Sequence, residues 1–112
     1  MDKIDHYRNI IRQVLQPYRV VRYAGSPNLQ NQLIFDNENE HYLVMTVGWD
    51  GETPVRDCVF HLDIVDGKVW IQEDNPDSDI ASMLMDAGIP KSDIVLGFQS
   101  PAIRRFTSFA SG

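Results

Sequence analysis

His61 and Asp63 stand two residues apart in a run that alternates apolar and polar side chains, so both face the same side of an extended strand. The turn-to-turn register of the chain brings His41 across from Asp63 on a neighbouring strand. Two imidazoles and a carboxylate on one sheet face form a ligand set that zinc accepts. The commoner role of a histidine beside an aspartate on a half-exposed strand is a hydrogen-bonded surface pair. On that balance no metal ligand and no cofactor is assigned. Cys58 and His61 have the residue types of a nucleophile and its base. Their separation of three points them to opposite faces by strand alternation, and Cys58 falls among core positions, where free cysteine acts as a small hydrophobe. Asp57 and Asp63 lie too far apart along one strand to share a proton. No glycine-rich phosphate loop opens a helix. No catalytic residue is therefore assigned, and the chain reads as a non-enzyme. A small enzyme or metal-binding protein using the His-Asp surface site stands as an alternative.

Binding chemistry has two sets of candidates. Met45, Trp49, Trp70 and Arg104 are of the types that dominate buried protein contacts. Arg8, Arg12 and Arg105 could meet phosphate, in company with Lys3, Arg19, Arg22 and Arg104 if the two ends of the chain meet. Residues 1–35 hold five basic and two acidic groups, residues 36–95 three and fourteen, and residues 96–112 two basic groups and no acid. The net charge of −6 is thus an acidic middle between two basic ends. That argues against a broad basic face for nucleic acid. Direct DNA contact is weighed but not favoured.

The elements that hold these residues follow from periodicity. Ile4, Tyr7, Ile11, Val14, Leu15 and Tyr18 recur at steps of three and four, predicting a helix over residues 2–16 capped by Asp2 and stopped by Pro17. Residues 25–31 read as loop. The period then becomes two, with strands at about 32–36, 41–49, 55–65 and 68–73. Asp66-Gly67 is a two-residue turn signal that pairs Val65 with Lys68, Ile64 with Val69 and Leu62 with Ile71. Phe35 likewise pairs with Tyr42 and Leu33 with Val44. One face then gathers Leu33, Phe35, Tyr42, Val44, Cys58, Phe60, Leu62, Ile64, Val69 and Ile71. The other carries Ile34, Leu43, Met45, Val47, Trp49, Val59 and Trp70 among Asp57, His61 and Asp63, too apolar for a plain solvent face. Either a partner or the C-terminal segment should cover it. A second helix is predicted over 78–87, capped by Asp77 or Ser78 and ended by Gly88 and Pro90, with Ile94-Val95-Leu96 as a short fifth strand. Phe98, Pro101, Ile103, Phe106 and Phe109 give the tail enough apolar surface to pack.

These elements predict an α+β fold of two layers, an antiparallel four- to five-stranded β-meander covered by an N-terminal and a C-terminal helix. At 112 residues one domain over 1–112 is expected. The single cysteine excludes an internal disulfide framework. No apolar run reaches the roughly 20 residues that cross a bilayer, and the N-terminus is too polar for a signal peptide, so a cytoplasmic protein is expected.

Several segments carry a family resemblance: Tyr7-Arg8-Asn9-Ile10-Ile11, Gln32-Leu33-Ile34-Phe35-Asp36, Val47-Gly48-Trp49-Asp50-Gly51, the run from His61 to Gln72, and Ala87-Gly88-Ile89-Pro90. The tail adds Val95-Leu96-Gly97-Phe98, Pro101, Arg104, Thr107 and Phe109-Ala110. In this order the chain resembles, nearly end to end, the cyanobacterial fdxN element excision controlling factor family, XisI-like. The resemblance implies a regulatory factor in programmed excision of a DNA element during heterocyst differentiation. It implies action through protein contacts, beside a site-specific recombinase and an endonuclease-like controlling factor, with homo-oligomerisation open. It implies no catalytic residues. Gln99 stands where the family pattern has His, and Arg105-Phe106 where it has Pro-Tyr.

Overall fold

The structure is a computed structural model, and it describes residues 2–20 and 28–112. Arg22 and the loop positions up to 27 lie outside the described residues. Helix α1 (Lys3–Leu15) begins where Asp2 accepts a hydrogen bond from the Ile4 amide at 3.1 Å. It runs into a 3-10 turn at Gln16–Val20. Strands β1 (Leu29–Asp36), β2 (His41–Asp50), β3 (Thr53–Val65) and β4 (Lys68–Glu73) form an antiparallel meander. Helix α2 (Ile80–Asp86) then leads to β5 (Ile94–Leu96), and a short helix α3 (Pro101–Arg104) follows. The fifth strand joins β4 in parallel. The meander stops at four strands because a parallel neighbour requires a crossover, and α2 supplies it.

One sheet face and the two helices enclose the core. Tyr7, Ile10, Ile11, Val14 and Leu15 of α1 and Ile80, Ala81 and Leu84 of α2 pack on Tyr42, Val44, Phe60, Leu62, Ile64, Val69 and Ile71. The expected pairings of Phe35 with Tyr42, Leu33 with Val44, Ile64 with Val69 and Leu62 with Ile71 are all present. Asp66 and Gly67 both have positive φ, 51° and 78°, as a tight right-twisted hairpin requires.

Three expectations are corrected. Residues 28–31 were expected in a loop, yet β1 begins at Leu29. Asn31 tolerates burial there because its amide donates to the Tyr18 carbonyl at 2.8 Å and accepts from the Thr46 hydroxyl at 2.7 Å. The cap of α2 is Asp79, which accepts from the Ser82 amide, in place of Asp77 or Ser78.

The third correction concerns Cys58. A bulge at Val59 separates the pairs Val44–Phe60 and Met45–Cys58. The bulge is a geometric necessity. The hairpin closing at Asp50–Thr53 would, if unbroken, pair Tyr42 with His61, an inward residue with an outward one. One extra residue restores the match. Its consequence is that Val59 packs against the core, while Cys58 shares the outer face with Met45. Asp57 then pairs with the inward Thr46 and does not join the outer face.

Candidate functional site

The outer sheet face is built from rungs. Asp36, His41, Asp63 and Trp70 lie side by side across four strands; Ile34, Leu43 and His61 form the next rung, and Met45 with Cys58 the one after. Val47 and Trp49 continue toward the tip of the β2–β3 hairpin. Trp49 is 53% exposed and Ile34 47% exposed, whereas Met45 is half-buried.

Trp49 and Trp70 are not neighbours. Trp49 stands eight positions along β2 from His41, which shares Trp70's rung; at about 3.3 Å per residue that is roughly 26 Å. Trp70 is covered from within the chain. The Arg104 guanidinium lies 4.9 Å from its ring centre, and a side chain at Gly112 would touch the ring at 3.3 Å. The Arg104 Nε is buried without a hydrogen-bond partner among the described residues, so the stacking contact is what holds it. The tail reaches this position because Ala110 bridges to Val95 and its amide donates to the Ile94 carbonyl at 2.9 Å. The C-terminal segment therefore covers the Trp70 end of the face and leaves the Trp49 end open. Of the five apolar tail residues, Phe109 packs on the core; Phe98, Ile103 and Phe106 are exposed, Phe106 at 79%, and Pro101 is exposed too.

The basic candidates do not converge. Arg8 donates from Nε to both oxygens of Glu40 at 3.0 and 3.1 Å, from Nη2 to Glu40 as well, and from Nη1 to Asp5 at 2.5 Å. Arg12 is exposed on α1 with its guanidinium 6.0 Å from the Phe35 ring. Both sit on the helical layer, while Arg104 lies over Trp70 on the opposite sheet face. Arg105 is exposed beside the Phe106 ring at 5.1 Å.

His41 Nδ1 and His61 Nε2 lie 2.7 and 2.8 Å from the same atom, Asp63 Oδ1. Gln72 Nε2 donates to the other oxygen at 3.3 Å. Gln72 is itself a bulge residue, since His61 pairs with Glu73 and Leu62 with Ile71. The hydrogen bond to Asp63 raises the pKa of His41. Cys58 and His61 now share a face, contrary to the alternation argument. Nucleophile chemistry still fails there: the Cys58 thiol donates to the Phe60 carbonyl, and burial pushes its pKa up, away from thiolate. The signal for this rearrangement was in the sequence. A two-residue hairpin pairs odd with even positions, yet the inward residues of β2 and β3 are both even-numbered, so a bulge was required.

Ionisation ties the helix to the sheet. Donation from Arg8 holds Glu40 below the usual carboxylate range, and donation from the Asn39 side chain does the same for Asp36. Burial alone would raise Asp93, but donation from Tyr7 and Lys3 outweighs it. The Tyr7 hydroxyl, buried and donating to Asp93, is pushed up to about 12. A carboxylate depressed in the folded state stabilises fully above its unfolded pKa, and that contribution is lost as pH falls through the folded value. Chemical denaturation should therefore show stability rising slightly as pH falls from about 7 to 5, where His41 with its raised pKa takes up a proton, and declining below about 4 as the paired carboxylates are protonated. A profile still flat at pH 3 would contradict these pairings. Replacing Glu40 by Gln should flatten part of the decline.

Among the described residues, no helix is long and apolar enough to cross a membrane. No curated protein matches the chain. The family model described as XisI protein matches residues 1–111. Two solved structures from Anabaena variabilis are similar over whole chains. One is titled a XisI-like protein, with 33% identity, a TM-score of 0.84, and coverage of 97% of this chain and 98% of that one. The other is titled fdxN element excision controlling factor XisI, with 36% identity, a TM-score of 0.85, and coverage of 99% and 100%. With the family match spanning all but the last residue and the same fold at one-third identity, this chain belongs to the XisI family.

Proposed function

We propose that this chain is a non-enzymatic regulatory factor, a single domain that controls site-specific excision of a DNA element through protein contacts. Its partner is a recombinase or an endonuclease-like controlling factor, and its setting is the cytoplasm of a cyanobacterium, in heterocyst differentiation or a related process. The family supports the excision role, since a member 36% identical carries that title. The observation that carries the contact is the open end of the outer face. Trp49 is half exposed on a hairpin whose same face also bears Val47 and Met45. Large exposed aromatics in apolar surroundings are the side chains that anchor protein interfaces. Ile103 and Phe106 of the tail are also exposed and form a second, separate candidate contact. Arg105-Phe106 is also where this chain departs from the family pattern, which fits a partner particular to this member.

The test is co-purification with a site-specific recombinase and with an endonuclease-like controlling factor from the same cell. Trp49→Ala should weaken capture about tenfold or more, with an unchanged unfolding midpoint, because the ring contributes little to the fold. Capture by the Trp49→Ala variant at wild-type strength would remove the sheet face from the interface. Phe106→Ala, tested alongside, reports on the tail.

A further inference from the structure

The geometry points to a divalent-metal site of the zinc class on the outer sheet face, with His41 Nδ1, His61 Nε2 and Asp63 Oδ1 as its protein ligands. These atoms lie within 4.8 Å of one another, and they are the cluster of this kind among the described residues. Asp63 is the one charged side chain among the buried residues described, at 9% exposure, and it aims one oxygen at both imidazoles. Hydrogen bonding alone asks only that each acceptor find a donor. Here two ring nitrogens from different strands converge on a single oxygen.

To take an ion the two imidazoles must shift: each ring nitrogen opens from Asp63 Oδ1, while the two nitrogens, now within 4.8 Å of one another, settle about 3.3–3.4 Å apart. Zinc bonds of about 2.0–2.2 Å in tetrahedral geometry place ligand atoms about 3.3–3.4 Å apart. The two present N–O separations of 2.7 and 2.8 Å would open by about 0.6 Å as the metal replaces the shared protons. The His41 side chain is half exposed and free to make that adjustment, while Asp63 is fixed. Gln72 supplies the outer support, donating to the Asp63 oxygen that does not face the imidazoles. The bulge at Gln72 gives it that reach. The charge also favours a cation: Asp36 pairs across from His41 and Glu73 across from His61. The solvent side, next to the half-exposed His41, leaves the remaining coordination position open.

The experiment is calorimetric titration of chelator-stripped protein with zinc chloride, backed by the visible spectrum of the cobalt(II) form. One equivalent per chain is expected, with a cobalt spectrum typical of mixed nitrogen and oxygen ligands. His41→Ala and His61→Ala should each weaken binding about tenfold or more, Gln72→Ala about tenfold, and His6→Ala not at all. His41→Gln and Asp63→Asn, which keep size and polarity, serve if an alanine variant unfolds. No saturable binding at millimolar zinc, or equal binding by His41→Gln and wild type, would overturn the site.

Discussion

Gly48→Ala should unfold most of the protein's stability margin, at a cost of about 4 kcal/mol or more. Gly48 has a φ of +140°, a region that side chains with a Cβ rarely adopt. Space adds a second penalty. A Cβ built there would sit 1.9 Å from the Asn28 carbonyl oxygen and 3.0 Å from its carbon. Those are backbone atoms, so no rotamer change relieves the clash. The carbonyl is held by the Trp49 amide, which donates to it at 3.3 Å, and Leu29 pairs directly with Gly48 at the start of β1. Relief therefore means pulling β1 away from β2 at this end. A domain of this size has about 5–15 kcal/mol in total. Gly51→Ala is the internal comparison. Its φ of +62° is strained, but nothing lies within 4 Å, so a cost of about 1–2 kcal/mol is expected. Urea denaturation of both variants gives the comparison. Equal costs would mean that the close approach at Gly48 does not exist in solution.

That close approach was not visible in the sequence, although Gly48 stood inside a segment that carried the family resemblance. Alternation places a residue on a face but gives no distance to a chain segment twenty positions earlier. The four long strands were legible because turn chemistry and apolar alternation agreed, as at Asp66-Gly67. Where they disagreed by one position, between the Asp50–Thr53 hairpin and the inward row of β3, a bulge resolved the conflict at Val59. Choosing which residue bulges required the packing: Val59 is apolar and fits the core, whereas Cys58 tolerates the half-exposed outer face. The His41–Asp63 neighbourhood was legible for the same reason, since only a corrected register keeps both outward. The aim of two imidazoles at one oxygen, and the Gln72 bulge behind it, depend on side-chain rotamers that periodicity does not encode. The tail was half legible. Its apolar content implied packing, but four exposed residues and a guanidinium over Trp70 replaced the single covered face that composition suggested.

Phe60→Ala should cost about 3–5 kcal/mol, the other large effect in this fold. Phe60 is fully buried at the middle of β3, paired with Val44 directly after the Val59 bulge. Tyr18 meets its ring edge-on at a centroid distance of 4.9 Å, and Tyr18 is itself fixed, its carbonyl accepting from Asn31. Removing the ring thus loses buried apolar area, an aromatic pair and the contact that seats the 3-10 turn on the sheet. The cavity cannot collapse easily, since the bulge holds Val59 and the sheet holds Val44. Phe60→Leu should recover most of the loss, because volume matters more here than the ring. Set beside Trp49→Ala, this variant separates two meanings of an aromatic residue in one sheet. Phe60→Ala should lower the denaturation midpoint and lose partner capture only in proportion to unfolding. Trp49→Ala should lose capture at full stability. If both variants instead lose stability and capture together, Trp49 is a packing residue and the contact surface lies elsewhere, with Ile103 and Phe106 of the tail next to be tested.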